Sequence, residues 1–311
     1  MKIRDLIFAL IAVIVWGVNF TVIKLGVGEI PPMLLVSLRY IAASLPLIAF
    51  VKPPKISWKY VLAYGLTVGV GQFACLFYAI HIGMPAGVSS VVLQSQAFFT
   101  ILLDAVFFKE SLKASQVIGL VVSAAGLFFV NGNIGSGKAS AIPTGAFFLT
   151  LLAAVFWGVS NIIARHASKQ VASRGETLNM FSLVVWSSLV PPIPMLAIAL
   201  LLDKPSTLLH AVSHLNALSI FSILYLAFFA TLIGYGIWSS MIAKYPAGKV
   251  APLSLLVPVV GLITALIVLK EQLSNMQWLG GVIIIMGLLI TNFGYPVIKR
   301  IFQSKDVETN A

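Results

Sequence analysis

The sequence predicts an all-α integral membrane protein of ten transmembrane helices, arranged as two five-helix repeats that enter the membrane in opposite directions. Three observations predict it. Hydrophobic residues fill 59% of the 311 positions and charged residues only 9%, with a mean hydropathy of +1.03. A soluble domain carries about 25% charged residues, and a disordered chain needs low hydrophobicity, so both classes are excluded. The apolar residues fall in ten long stretches separated by loops too short to form a domain, and matching residues recur at a fixed offset between the two halves.

A spanning helix needs about 20 mostly apolar residues. The first stretch, 6–25, follows Lys2 and Arg4. It is too long for a signal-peptide core and has no small-residue cleavage site. The second, 33–51, follows a Pro pair and contains Arg39. The third, 60–80, contains Cys75, the only cysteine, which excludes a disulfide framework and a multi-cysteine metal site. The fourth, 87–107, follows Pro85-Ala86-Gly87 and carries Asp104. The fifth, 114–131, ends at a Gly/Ser-rich linker, 132–142. The sixth to tenth are 143–164, 177–201, 216–239, 250–269 and 276–296, before a polar tail at 299–311. Lipid offers no hydrogen bonds, so each span must be a helix, and the period-2 alternation of a membrane barrel strand is absent.

Lys and Arg are unevenly distributed. With the N-terminus in the cytoplasm, fifteen lie on the cytoplasmic side, four lie outside (Lys24, Lys138, Lys204, Lys270) and Arg39 lies within a span. This bias puts both termini in the cytoplasm. The net charge of +11 is thus an orientation signal, with attraction to anionic headgroups secondary, and nucleic acid is not implied.

Trp16-Gly17 matches Trp157-Gly158 at an offset of 141 (157 minus 16), and Lys24 matches Arg165 at the same offset. Pro85-Ala86-Gly87 matches Pro246-Ala247-Gly248 at 161 (246 minus 85). So do Lys109-Glu110 and Lys270-Glu271, Gln116 and Gln277, Gly119 and Gly280, Gly126 and Gly287, and Asn131 and Asn292. The repeats are 1–131 and 143–298. An odd number of spans per unit inverts the second copy, the arrangement of secondary transporters with a site near the midplane.

This pattern resembles the drug/metabolite transporter superfamily, EamA family, over nearly the whole chain. The Trp-Gly pairs, the Pro-Ala-Gly segments and the runs Val91–Thr100 and Ala251–Leu262 carry the resemblance. It implies export of small amino-acid metabolites, of the cysteine and O-acetylserine type, by alternating access without ATP. It also implies a central cavity lined by the first, third, fourth, sixth, eighth and ninth helices. Trp16 and Asn19 share one helix face, and Trp157 and Asn161 share the corresponding face of the other half. These four are expected to line the cavity, where amides hold a zwitterion and indoles face its ammonium. Helix–helix glue is the alternative. Gln94 is preferred to Gln96 because it shares a face with Ser90; Tyr78, Tyr235 and Ser254 are further substrate-binding candidates.

Asp104 is the one carboxylate well inside a span and a proton-coupling candidate; the alternative is an acid reaching for Lys109 or the headgroups. Arg39, assigned to the outer third of its helix, either attracts anionic substrate groups or binds a helix end. Gly83, Pro85, Gly87, Pro246 and Gly248 are expected to be gate hinges. Pro252 and Pro258 break the ninth helix, freeing carbonyls for substrate or a hinge. Glycines of the fifth and tenth helices let the two pack closely.

Gly132–Lys138 spells G-x-x-x-x-G-K, but Ala139 follows where a Mg²⁺-binding hydroxyl is needed and no strand precedes it. His210 and His214 are an i,i+4 pair without a third ligand. No cofactor or metal is expected. Partners are a small-molecule substrate, the lipid bilayer and protons. Rival functions are export of aromatic amino acids or drugs, a membrane-embedded enzyme, and a non-transporting scaffold.

Overall fold

The computed structural model describes residues 1–131, 142–245 and 250–308, and these contain helices and no strands. In chain order the helices are α1 (Ile3–Glu29), α2 (Pro32–Ile48), α3 (Trp58–His81), α4 (Ala86–Phe108), α5 (Ala114–Asn131), α6 (Thr144–Ala172), α7 (Met180–Ser187), α8 (Pro192–Leu202), α9 (Pro205–Ser213), α10 (Ala217–Met241, continuing to Lys244), α11 (Leu253–Val268) and α12 (Asn275–Glu308). Six of the described helices are long and apolar enough to cross a membrane: α1, α3, α4, α6, α10 and the first 20 residues of α12. The pair α7 and α8 passes the same test as one bent unit, while α2, α5 and α11 are shorter apolar helices. Ile14, Phe128, Phe148 and Ile267 stand exposed on the outside, a surface suited to lipid. The chain is an integral, multi-pass membrane protein.

Three expectations need correction. The stretch 177–201 is not one straight helix: α7 and α8 meet at a 41° bend. Pro191 and Pro192 lie at the break, where their missing N–H groups and ring bulk end the first helix. The segment after it, read as loop, is the helix α9. It starts on Pro205 and buries Leu208, so its apolar face gives it a reason to form. Arg39 is the eighth of the 17 residues of α2 and therefore mid-helix rather than in the outer third. The linker 132–141 and the hinge candidates Pro246 and Gly248 lie outside the described residues.

The helices pack across the halves. α1 lies against α11 and α10, α6 against α4 and α3, and α2 against α8. The tightest pair is α5 with α12, and glycine makes it possible. A Cβ at Gly126 would meet the Gly280 carbonyl at 2.8 Å, and one at Gly119 would meet the Gly287 carbonyl at 2.5 Å. Both helices start on the same device. Gln116 Oε1 accepts from Lys113 N at 2.8 Å, and Gln277 Oε1 accepts from Ser274 N at 2.9 Å. Each glutamine sits three residues into the turn and satisfies a backbone donor left over at the helix start.

Departures from α geometry recur at equivalent places. α3 is π-helical over Gly65–Gln72, and α10 is π-helical over Tyr225–Ile233. Their last residues are 161 apart (233 minus 72), the repeat offset. Lys109 and Lys270, again 161 apart, both adopt positive φ, 55° and 54°. Leu93–Ser95 in α4 and Ala251–Leu256 at the start of α11 are 3₁₀ turns, the latter containing Pro252.

Gly119→Ala puts a methyl against backbone that cannot rotate away. It is expected to lower the melting temperature in detergent by about 5 °C, the scale of an overpacked contact. Gly145→Ala, with nothing within 4 Å of the added Cβ, is expected to leave it unchanged or raise it slightly.

Candidate functional site

Arg39 is a deeply buried charge, 2% exposed at the middle of α2. Its Nη2 donates to Thr231 Oγ1 at 2.9 Å. The Thr231 hydroxyl spends its own proton on the Leu226 carbonyl, five residues back at 2.8 Å, so the π-turn of α10 leaves that oxygen free to accept. The guanidinium carbon lies 4.1 Å from the ring centre of Phe73 and 5.1 Å from that of Tyr40. Nε and Nη1 are buried and unpartnered. Tyr40, Tyr64, Tyr235, Ser187 and Ser188 line a cavity beside it with Gly65 and Gly69. Its volume is about 10 Å³, room for one water-sized guest.

Tyr235 connects this cavity to Trp16. The Trp16 ring meets Tyr235 edge-on at 5.3 Å and Trp238 at the same distance. Trp16 Nε1 donates to the Ala230 carbonyl at 2.9 Å, inside the π-turn. Gly234 leaves space for the indole, since a Cβ there would touch Nε1 at 2.5 Å. Asn19, one turn on, is 8% exposed and its Oδ1 has no partner. α1 and α10 thus bring Trp16 and Tyr235 together, with Asn19 close along α1.

The polar contact of Asn161 crosses from α6 to α4 in the first half. Asn161 Nδ2 donates to Gln96 Oε1 at 2.9 Å and to Thr100 Oγ1 at 3.0 Å. Gln96, not the preferred Gln94, faces α6. The 3₁₀ turn Leu93–Ser95 tightens the helix just before it, which changes the faces that a regular α-helix would present. Gln94 is buried within that turn. Trp157 is partly buried on α6. Tyr78 sits apart, 6.1 Å from the His81 ring, and Ser254 lies in the 3₁₀ turn at the start of α11.

Ion pairs mark one end of the bundle. Arg165 of α6 bonds Asp104 at 2.6 Å and also pairs with Glu110. Asp104 therefore reaches neither for Lys109 nor for headgroups but for Arg165. At the same end Asp5 accepts from Lys244 and from the Tyr245 hydroxyl, both at 2.5 Å. At the other end, Glu271 accepts from Ala86 N at 2.7 Å and Gly87 N at 3.0 Å, a carboxylate on the N-terminus of α4. Two of the hinge candidates are thereby specified. Gly83 has φ +114°, open to glycine, while Gly87 lies in close contact with Ala265 and Leu262 of α11. Pro85 is the residue before α4, and Pro258 opens the regular part of α11 with its carbonyl accepting from Ser90 Oγ at 3.3 Å.

The model of the EamA-like transporter family matches residues 4–132 and again 144–293. The chain belongs to that family. A probable amino-acid metabolite efflux pump of Escherichia coli K12 is 44% identical over 294 residues, covering 94% of this chain and 96% of its own. One of the same description from Salmonella typhimurium LT2 is 43% identical over 297 residues, 96% of this chain and 97% of its own. A crystal structure at 14% identity shares the fold, with TM-score 0.60 over 94% of this chain and 98% of that one. The protein is accordingly a transporter and not an enzyme.

In this transporter the polar groups that the fold gathers are partly ones a linear reading passes over. Thr231, Tyr40 and Tyr64 look like ordinary span residues until the π-turns bring them around Arg39. Gln96 and Thr100 are four apart, a signal that was available in the sequence. Arg165 signalled only its match to Lys24, and Glu271 only its match to Glu110.

The Arg165 guanidinium holds the Glu110 carboxyl below its usual range. A carboxylate so lowered stabilises the fold above the ordinary glutamate value, about 4.3, and loses that effect as pH falls through the lowered value. Wild type is therefore expected to melt slightly above Glu110→Gln at pH 7, and melting scans down the pH range should show the gap closing in acid.

Proposed function

We propose that the chain is a ten-span exporter of small amino-acid metabolites, of the cysteine and O-acetylserine type, working by alternating access without ATP. The observation that carries the substrate class is the 44% identity to a probable amino-acid metabolite efflux pump, spanning 94% of this chain. In this reading α2, α5 and α11 and the bent α7–α8 pair also cross the membrane, giving five spans to each half. The double family match, the paired π-turns and the paired positive-φ lysines support the inverted repeat. The excess of Lys and Arg at one end supports cytoplasmic termini in an inner membrane.

Substrate occupies the region between α1, α2, α3 and α10, near the midplane. Trp16, Asn19 and Tyr235 contact it from α1 and α10, and Asn161, Trp157 and Gln94 border the path on α6 and α4; Tyr78 and Ser254 lie toward its ends. The Asp104–Arg165–Glu110 cluster closes the cytoplasmic end and the Glu271 bonds to α4 hold the outer end. Gly83, Pro85 and Gly87, with Pro246, Gly248, Pro252 and Pro258 in the other half, are the flexing points. Asp104 acts as part of a latch rather than as a proton carrier, because its partner Arg165 already occupies it.

Purified protein in liposomes loaded with labelled cysteine or O-acetylserine tests the reading. Saturable efflux above protein-free liposomes is expected for both. Asp104→Asn is expected to change the rate about tenfold, the scale of one charge-assisted hydrogen bond, while leaving the response to an imposed pH gradient as in wild type. A gradient response abolished by Asp104→Asn would return Asp104 to proton coupling. Folded protein that releases neither solute would overturn the substrate class, and aromatic amino acids would be the next panel.

A further inference from the structure

The geometry points to Arg39 as the subsite that binds the carboxylate of the transported solute. The inference rests on the export reading above and goes further by assigning the group on the solute and the residue that selects it. A guanidinium carries five N–H donors and stays protonated in proteins. Thr231 accepts one of them at 2.9 Å, and Nε and Nη1 have no partner. Whichever Nη2 hydrogen Thr231 takes, one complete two-donor edge is left over, and a two-donor edge matches a carboxylate.

The protein supplies no anion for it. Among the described residues no carboxylate lies within ion-pair distance of Arg39. The ring of Phe73 at 4.1 Å compensates only part of the buried charge. A cation this well buried, at the middle of an apolar helix, is costly unless something pairs with it. A purely structural arginine would be expected to bond backbone carbonyls or an acid, and Arg39 bonds neither.

The surroundings fit a guest that enters and leaves. The cavity wall contains the π-turn residues Gly65, Val68 and Gly69 of α3, the π-turn residue Thr231 of α10, and Ser187 and Ser188 at the α7–α8 bend. All three stretches lack a regular α-helical ladder. The cavity holds only about 10 Å³, so a carboxylate is admitted as these walls separate. Tyr235 lines the same cavity and contacts Trp16, which places an aromatic surface for the solute's ammonium beside its carboxylate site.

The test pairs cysteine with cysteinamide, the same solute without the carboxylate, in wild type, Arg39→Gln and Arg39→Lys. Two readouts are taken: efflux from liposomes, and melting temperature in detergent with each compound. Wild type is expected to export and be stabilised by cysteine far better than by cysteinamide. Arg39→Gln is expected to lose about 100-fold in efflux at low cysteine concentration, with cysteinamide unchanged. Arg39→Lys, which keeps the charge but loses the fork, should lie between. Without ligand, Arg39→Gln should melt at or above wild type, because an unpaired buried charge is removed. An Arg39→Gln protein that melts well below wild type, or one that keeps the cysteine preference, would overturn the assignment. If wild type exports no cysteine, the export reading falls by itself. The melting arm then decides for Arg39: no preference for the carboxylate over the amide in wild type would overturn it too.

Discussion

Lipid offers a backbone no hydrogen bonds, so each turn that departs from the α-helix must face protein or a cavity. In this chain three of the departures converge. The π-turns of α3 and α10 and the bend between α7 and α8 border one small cavity, and Arg39 reaches into it from α2. The regular helices α5 and α12, tied by glycine contacts, carry no such breaks at their interface. Rigidity and irregularity are thus segregated: a close-packed pair on one side, and wall segments with weaker ladders around a buried cation.

The two ends of the bundle are held by different chemistry although the repeat makes them equivalent in sequence. Glu110 and Glu271 occupy matching positions after a left-handed lysine. Glu271 satisfies two backbone donors at the start of α4, whereas Glu110 pairs with Arg165. The first is a partly buried, charge-assisted contact to a helix terminus, and the second is an exposed ion pair, worth little by itself. Asp104 strengthens the second by adding a less exposed bond to the same guanidinium.

Much of the fold was legible in the sequence because a bilayer enforces one local answer. The apolar stretches fall on helices, and the offset of 161 reappears in backbone geometry at Lys109 and Lys270. What escaped was local helix character. Pro191-Pro192 was visible but was absorbed into a span, and nothing in the residues of α3 announces a π-turn. The same holds for the candidate site. Face arithmetic on a regular helix prefers Gln94, and beyond the 3₁₀ turn at Leu93–Ser95 it is Gln96 that bonds Asn161. Trp16, Asn19 and Tyr235 stand out as candidates in the sequence because a large or amide side chain in a lipid span is conspicuous. Tyr40, Tyr64 and Thr231 do not, because only the fold brings their separate helices together at Arg39.

The most direct measurement of the central claim is a distance. Protein labelled with ¹⁵N in its arginine guanidinium groups, reconstituted in bilayers with cysteine carrying a ¹³C carboxylate, would be examined by rotational-echo solid-state NMR. Dephasing that reports a carbon–nitrogen separation of about 4 Å, the spacing of a forked arginine–carboxylate pair, is expected in wild type and is expected to be lost in Arg39→Lys. Dephasing that persists in Arg39→Lys, or none in wild type saturated with cysteine, would contradict it.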